Sequence, residues 1–467
     1  MSDLCSLTIA DAAPLLARRE LSPVELTRAF LDRIAAVGPQ VDAYVCVTAE
    51  RALEDARRAE AEIAAGGYKG PLHGIPIALK DIYDTAGIAT TCHSHLHVNR
   101  IPERDARAAA LLREAGTVLL GKLATHEFAF GGPAWDLPFP PARNPWNREH
   151  FTGGSSSGSG AAVAAGLAMG TLGSDTAGSI RMPAFFCGIT GLKPTYGRVS
   201  RRGVAPLAWS LDHCGPMTWT ARDSALMLQA IAGHDPADPG SADRAVPDYD
   251  AALTGDVAGL RIGLIRHFYE RDAEADGEVR AAMDAAAATF AGLGAQVEEV
   301  ELSSLHDFHA CCMVILLTEA LAVHERDLRA TPEKYGAIVR DRLMLASLLT
   351  GLDYVQALRL RRRLAAEVER ALGRFDLLMT AGGYSGAPRL QQISKFYLLE
   401  KPLLTTPFDV TGSPTLAVCT GFTAAGLPVG MQLVGRAFDE ATVLRAGDAY
   451  ERATGWRRQR PALAAAA

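Results

Sequence analysis

The chain has 467 residues, which allows roughly two to four ordinary domains or one large α/β unit, and it is long enough to bury a core without metals or disulfides. Its 47 basic and 53 acidic residues leave a formal charge of −6, which argues against a nucleic-acid or membrane-surface binder, since either needs a basic field. With 48% hydrophobic and 21% charged residues the composition is globular and excludes a disordered chain.

Residues 1–20 carry charges on both sides of a short apolar stretch and lack the basic start and long apolar centre of a signal peptide. Ser22-Pro23-Val24-Glu25 reads as a capping box with proline at the first helical position, and Leu26, Phe30 and Ile34 continue an apolar stripe. Residues 49–65, rich in Ala, Glu and Arg, predict a second helix, so the first 65 residues read as helical. The texture then changes. Apolar runs at 75–79 and 118–120, the second preceded by a helical stretch at 105–115, begin an alternation that argues for an α/β fold with a largely parallel sheet. Further buried strands are predicted at 261–265, 297–300, 377–380, 415–419 and 429–434, and a charged helix at 353–372. Residues 131–145 and 234–250 read as loops, the second as a candidate boundary. The eight cysteines are scattered, with no CxxC pair, which points to a reducing cytoplasm. The apolar stretch at 161–173 is shorter than the roughly 20 residues of a membrane span.

The unusual segment is Thr152-Gly-Gly-Ser-Ser-Ser-Gly-Ser-Gly160. A flexible linker would not be followed at once by a small-residue helical pattern. A P-loop needs a lysine where Ser159 stands. Gly154-Ser-Ser-Ser-Gly158 matches a nucleophile elbow in letters, but mostly polar residues precede it where a buried strand is required. A second segment, Gly173-Ser-Asp-Thr-Ala-Gly-Ser-Ile-Arg-Met-Pro183, offers a serine after successive backbone amides, the arrangement acyl transfer needs for attack and for an oxyanion. Lys80, closing an apolar strand, is the candidate base, although a lone lysine there more often only marks a strand end.

These blocks carry a resemblance to the amidase signature family of C–N hydrolases: Pro71-Leu-His-Gly-Ile-Pro-Ile-Ala-Leu-Lys-Asp81, Gly121-Lys122, Asn144-Pro-Trp-Asn147, Gly153–Ser159, Gly173–Arg181 and Gly191-Leu-Lys-Pro-Thr-Tyr-Gly197. The match is dense from 70 to 235 and looser to the end, where Pro428-Val-Gly-Met-Gln-Leu-Val-Gly435 also fits; Ser157-Gly158 stands where the family usually has two glycines. The resemblance implies an α/β fold, with a central mixed β-sheet flanked by helices on both faces, over 1–467 as one domain. Within it, 1–65 would be a helical extension, 70–235 the catalytic core and 300–410 a variable specificity region. It implies Ser179 as nucleophile, Ser155 as a bridging serine after a cis peptide bond, and Lys80 as base. The amides of Thr176, Ala177, Gly178 and Ser179 would form the oxyanion hole, with Ser156 and Asp175 in support and Arg181 paired with Asp175. Free lysine titrates near 10.4, so the base must be desolvated to be neutral at pH 7–8. No cofactor and no metal is implied.

The tract Cys92-His93-Ser-His95-Leu-His97 invites a metal, but no partnering carboxylate motif accompanies it, and a polar loop near the site is the plainer reading. Asp212-His213-Cys214 reads as a turn into a strand and Cys311-Cys312 as core. Phe128, Phe130, Gly131 and Trp135, with Trp209, are candidates to line an acyl pocket, weighed evenly against ordinary packing. The expected activity is a free-standing amidase acting on a small amide or carbamate, as a monomer or homodimer with no nucleic acid or membrane partner. Anilides, urethanes and esters are further substrates. The alternative is the glutaminase A subunit of a glutamyl-tRNA amidotransferase, or a subunit that cleaves biuret or allophanate derivatives. The segment His126-Glu-Phe-Ala-Phe-Gly-Gly-Pro-Ala-Trp135 differs from that glutaminase's usual stretch and favours the free-standing enzyme.

Overall fold

The computed structural model describes residues 4–463. Eleven strands form one sheet: β1 Tyr44–Val47, β2 Pro76–Lys80, β3 Val118–Leu123, β4 Gly170–Asp175, β5 Thr190–Lys193, β6 His213–Thr218, β7 Arg261–Leu264, β8 Gln296–Glu299, β9 Leu377–Ala381, β10 Thr415–Phe422 and β11 Pro428–Val434. Their spatial order is β1-β3-β2-β4-β6-β5-β10-β11-β9-β7-β8. The strands predicted from Val/Ile/Leu runs all form, although β8, at the sheet edge, is largely exposed rather than buried. The expectation of a largely parallel sheet is corrected: β2 runs parallel to β3 and β4, and β7 to β8 and β9, but β4, β6, β5, β10, β11 and β9 pair antiparallel in succession. The sheet is mixed, with helices on both faces, as the resemblance implies.

Residues 4–65 are not purely helical. Between the helices Pro23–Val41 and Ala49–Ala64 the chain pairs β1 with β3 at the sheet edge. Ser22 caps Pro23–Val41 through its Oγ, which accepts from the amides of Val24 and Glu25 at 3.0 and 3.2 Å. The hydroxyl itself donates to Glu60, which ties the two helices together. The 26-residue helix Leu305–Ala330 is apolar and long enough to cross a membrane by length and composition, but it serves as core. Its Phe308, Cys311, Cys312 and Ile315 are buried, and it packs on the helices Gly351–Arg374 and Thr406–Thr411.

The helix Ser157–Ala164, made of Ser, Gly and Ala apart from Val163, is buried throughout and lies against the helix Arg181–Cys187. Small side chains let the two backbones approach closely, and this brings the segment before Ser157 up to the segment before Arg181.

Candidate active site

The parallel pairing of β2 with β4 sets Leu79 opposite Leu172, so the carboxyl ends of both strands open at one level. That is where an α/β sheet gathers reactive groups. Lys80 closes β2, fully buried, and its Nζ donates to Ser155 Oγ at 2.7 Å and to Ser174 Oγ at 2.8 Å. Burial lowers its pKa to about 7, and the more distant Asp175, Cys214 and Asp212 oppose that shift only in part. Two other lysines are buried and also lowered. Lys122 meets Asp81 at 3.1 Å and the Thr90 hydroxyl, and Lys193, at about 7, donates to the carbonyls of Ser413 and Pro194. Of the three, only Lys80 holds two serine hydroxyls.

The Gly154–Ser155 peptide bond is cis, as the resemblance implies. The Ser155 carbonyl accepts from Thr125 Oγ1 at 3.0 Å and from the His126 amide at 3.1 Å. Residue 154 must be glycine, because a Cβ there would lie 1.9 Å from His126 Cε1. Burial, with the charge of Arg342 adding to it, keeps that imidazole neutral well below its ordinary range.

The segment 175–181 folds around one carboxylate. Asp175 accepts from the amides of Gly178 (2.6 Å), Ile180 (3.1 Å) and Arg181 (3.3 Å), and pairs bidentately with the Arg181 guanidinium at 3.0 Å through both Nε and Nη2. Burial alone would raise Asp175; the arginine wins and holds it well below the usual carboxylate range. Arg181 also donates to Asp409 (2.6 Å), Gln432 Oε1 (2.8 Å) and the Thr405 carbonyl (2.8 Å). With Asp175 already anionic, burial pushes Asp409 up, so it is the more readily protonated of the two carboxyls.

Thr405 Oγ1 donates to the Ala177 carbonyl at 2.6 Å, and a Cβ on Gly178, at φ +123, would lie 2.3 Å from that hydroxyl. Ser156 Oγ accepts from the Ser174 amide at 3.2 Å, and the Ser156 amide donates to the Ser179 carbonyl at 3.3 Å. Within 151–187, Ser179 alone is not buried. The geometry therefore presents one serine outward with a second serine and a desolvated lysine behind it. Ser155 and Ser179 are on adjoining turns, though no hydrogen bond joins them here.

Three expectations are corrected. The Gly178 amide is spent on Asp175, so it is not free for an oxyanion, whereas the amides of Ala177 and Ser179 make no hydrogen bond among the described residues. Phe128 and Phe130 are not pocket walls. Phe128 is packed between His97 (5.2 Å) and His324 (4.5 Å), and Phe130 lies in the core under Arg342. Trp135 lies exposed on the surface. Gly131 offers its carbonyl to Arg342 at 2.9 Å. Trp209 does line a cavity of about 240 Å3, together with Ala129, Leu207, Asp212 and Ser174. Within the histidine tract the rings go separate ways: His93 and His95 meet the carbonyls of Phe139 and Asp136, and His97 meets Phe128.

Several residues of the site take no role from the sequence: Ser174 and Gln432 lie inside motif blocks without a role assigned there, and Thr125 and His126 on Ser155 and Thr405 and Asp409 on the 175–181 segment stand outside them. Arg342 is a further one. It is buried, donates to the carbonyls of Phe130, Gly131 and Lys395, has one Nη2 without a partner, and meets no carboxylate among the described residues. Burial lowers it to about 10.

The family profile described as Amidase matches residues 25–444. The A subunit of the glutamyl-tRNA(Gln) amidotransferase of Geobacter metallireducens is 43% identical over 99% of this chain and 100% of its own length. A solved structure described as a vestigial protein complex, revealing the origins of an s-triazine catabolic enzyme, is 33% identical with a TM-score of 0.89 over 96% of this chain and 99% of that one. The peptide amidase of Stenotrophomonas maltophilia is 33% identical with a TM-score of 0.85 over 98% of each chain. The expectation of a monomer or homodimer that meets only a small molecule, with no nucleic acid in view, is overturned by the first of these relatives, which is named as one subunit of an enzyme of glutamyl-tRNA(Gln). Net charge sums a whole chain and does not exclude an assembly with other chains.

Proposed function

Since the chain belongs to the amidase signature family, we propose that it hydrolyses the carboxamide of a small, carboxylate-bearing substrate through a seryl acyl-enzyme, with glutamine the first candidate, and that it works as one subunit of a larger enzyme. The observation that carries the chemistry is Lys80: buried, lowered to about 7, and held between two serine hydroxyls behind an accessible Ser179. Neutral Lys80 takes the proton of Ser155 as Ser155 takes that of Ser179, and Ser179 Oγ attacks the amide carbonyl. The oxyanion is met by the free amides of the 176–179 turn. Ser155 returns the proton to the departing nitrogen, ammonia leaves, and water cleaves the ester. The same path serves a free-standing amidase, so substrate and assembly decide between the readings.

Arg342 supports the carboxylate. A buried guanidinium without an acidic partner is costly unless something anionic meets it, and its open Nη2 faces the Gly131–Gly132 turn beside His126. The full-length identity to the Geobacter amidotransferase chain supports glutamine and an assembly. A second reading, a carboxylated urea such as allophanate or a carboxylated biuret, is favoured by the likeness to the s-triazine complex and makes the same demand on Arg342. No disulfide forms among the described residues, which suits a reducing cytoplasm.

The test is release of the leaving amine by the purified chain and by Arg342→Met: ammonia from glutamine, a carboxylated biuret, benzamide and an N-unsubstituted carbamate, and aniline from an anilide. Carboxylate-bearing amides should be preferred, and Arg342→Met should raise their KM by about 10- to 100-fold, the scale of one lost charged contact, while leaving benzamide unchanged. Aryl amides turned over as well as glutamine, with Arg342→Met indifferent to the carboxylate, would sink the substrate reading.

A further inference from the structure

The helices Ala337–Ala346 and Gly351–Arg374 meet at a bend of 91°. Around that bend the usual rule of apolar inside is reversed. Met344, Leu348, Leu352 and Val355 are 57%, 75%, 68% and 52% exposed, and Leu345 is exposed beside them. Met344 and Leu345 end the first helix, Leu348 stands in the connection, and Leu352 and Val355 share a face of the second helix, so the exposed apolar side chains cluster as a knob at the bend. Their exposed apolar area is on the order of 500 Å2, the size at which a patch on a globular chain marks a contact surface. On the next turns of the second helix stand Arg359, Arg362 and Arg363, all exposed and without a carboxylate partner among the described residues.

The geometry points to this knob as the docking surface for a second, non-identical subunit whose contact element has an apolar face flanked by acidic side chains. The inference rests on the reading of the chain as one part of a larger enzyme. Three observations choose the occupant. The arginine row is a local basic patch on a chain of net charge −6, so an acidic partner is drawn to this place and repelled by the rest. A second copy offers the same arginine row and no matching acidic row, so it does not answer the charge of this patch. The helix that carries Met344 and Leu345 outward carries Arg342 inward, so a partner seated on the knob is one helix width from the proposed substrate anchor.

The test uses the full chain and two fluorescein-labelled helical peptides with the same leucine face, one flanked by glutamates and one by lysines. Anisotropy should show the glutamate peptide binding at least tenfold more tightly than the lysine peptide. Leu348→Ser with Leu352→Ser should weaken it tenfold or more. Arg359→Glu with Arg362→Glu should reverse the preference, a gain that a misfolded variant could not show. Equal binding of both peptides, or indifference to either pair of changes, overturns the proposal. So does binding of phosphatidylglycerol vesicles in place of the peptide, which gives the knob to a membrane, or a concentration-dependent dimer lost in the leucine variant, which gives it to a second copy. Glutamine turnover is read in parallel and should be unchanged in the leucine variant; peptide binding without any turnover in the wild type would refute the hydrolase reading alone.

Discussion

Replacing Ser174 by alanine removes one of two hydroxyls that accept from Lys80, the one at 2.8 Å, and leaves Ser155 at 2.7 Å. A hydrogen bond to a charged donor contributes about 1.5–3 kcal/mol and one between neutral groups about 0.5–1.5. The bond therefore favours the ammonium over the free amine by about 1 kcal/mol, a little under one pKa unit at about 1.4 kcal/mol per unit. Burial already holds the lysine at about 7, so in the variant it should titrate at roughly 6. The assay is kcat/KM from pH 5 to 9 on the amide turned over fastest, whose acidic limb reports the base in the free enzyme. The limb should move to lower pH by somewhat under one unit, and the plateau should fall several-fold as the base weakens. The stability sign follows from the same shift. The folded pKa lies below the ordinary 10.5, so between about 7 and 10.5 the unfolded chain binds the extra proton and stability rises with pH. Ser174→Ala extends that window at its lower end. An acidic limb that stays in place, or moves upward, would refute both the role of Ser174 and the assignment of the limb to Lys80.

Ser179→Ala should lower turnover by several orders of magnitude and abolish trapped acyl-enzyme in rapid-quench mass spectrometry, whereas Ser155→Ala should keep a slow residual rate; acyl-enzyme in Ser179→Ala would refute the nucleophile. Thr405→Val frees the Ala177 carbonyl and should cut kcat by about 10- to 100-fold with KM within a few-fold, and Thr405→Ser should recover it; equal loss in both would make the role merely structural. Arg181→Met leaves Asp175 and Asp409 buried without their cation and should cost about 3–5 kcal/mol in urea unfolding; a loss under 1 kcal/mol would mean the carboxyls are satisfied otherwise. Burial holds His93 at about 4 and His126 well below its ordinary range. The unfolded chain therefore binds protons first, and the urea midpoint should fall as pH drops from about 6.5 to 4; a flat midpoint would show those imidazoles hydrated.

The strands visible in the sequence were those written in Val, Ile and Leu. β4, β5 and β6 escaped because Gly-Thr-Leu-Gly-Ser-Asp, Thr-Gly-Leu-Lys and His-Cys-Gly-Pro-Met-Thr contain little to mark a buried strand, yet all three are buried along their length. Pro216, opposite Leu172 in the middle of the sheet, is a residue that ordinarily argues against a central strand. β1 escaped because four residues between two helices are too few for a period to show. Around the site, Lys80, Ser155 and Ser179 were legible through ordered motifs, since spacing survives translation into sequence. The groups that hold them were not. Arg181 meets Gln432 across 251 positions, and no local pattern announces such a pair. The partner expectation failed for a related reason: composition sums a chain, whereas recognition depends on patches and on other chains.

The clamp on residues 175–181 also bears on the order of folding. A chain that has emerged from the ribosome only as far as residue 400 already contains Lys80, Ser155, Ser174 and Ser179, but none of Thr405, Asp409 and Gln432. In that nascent state Arg181 has only one of its two carboxylates, and nothing holds the Ala177 carbonyl. Contacts spanning more than 220 positions close late, after the local helices and the β2–β4 pairing have paid their entropy. The support of the 175–181 segment is therefore completed only by β11, the last strand of the sheet to be synthesised.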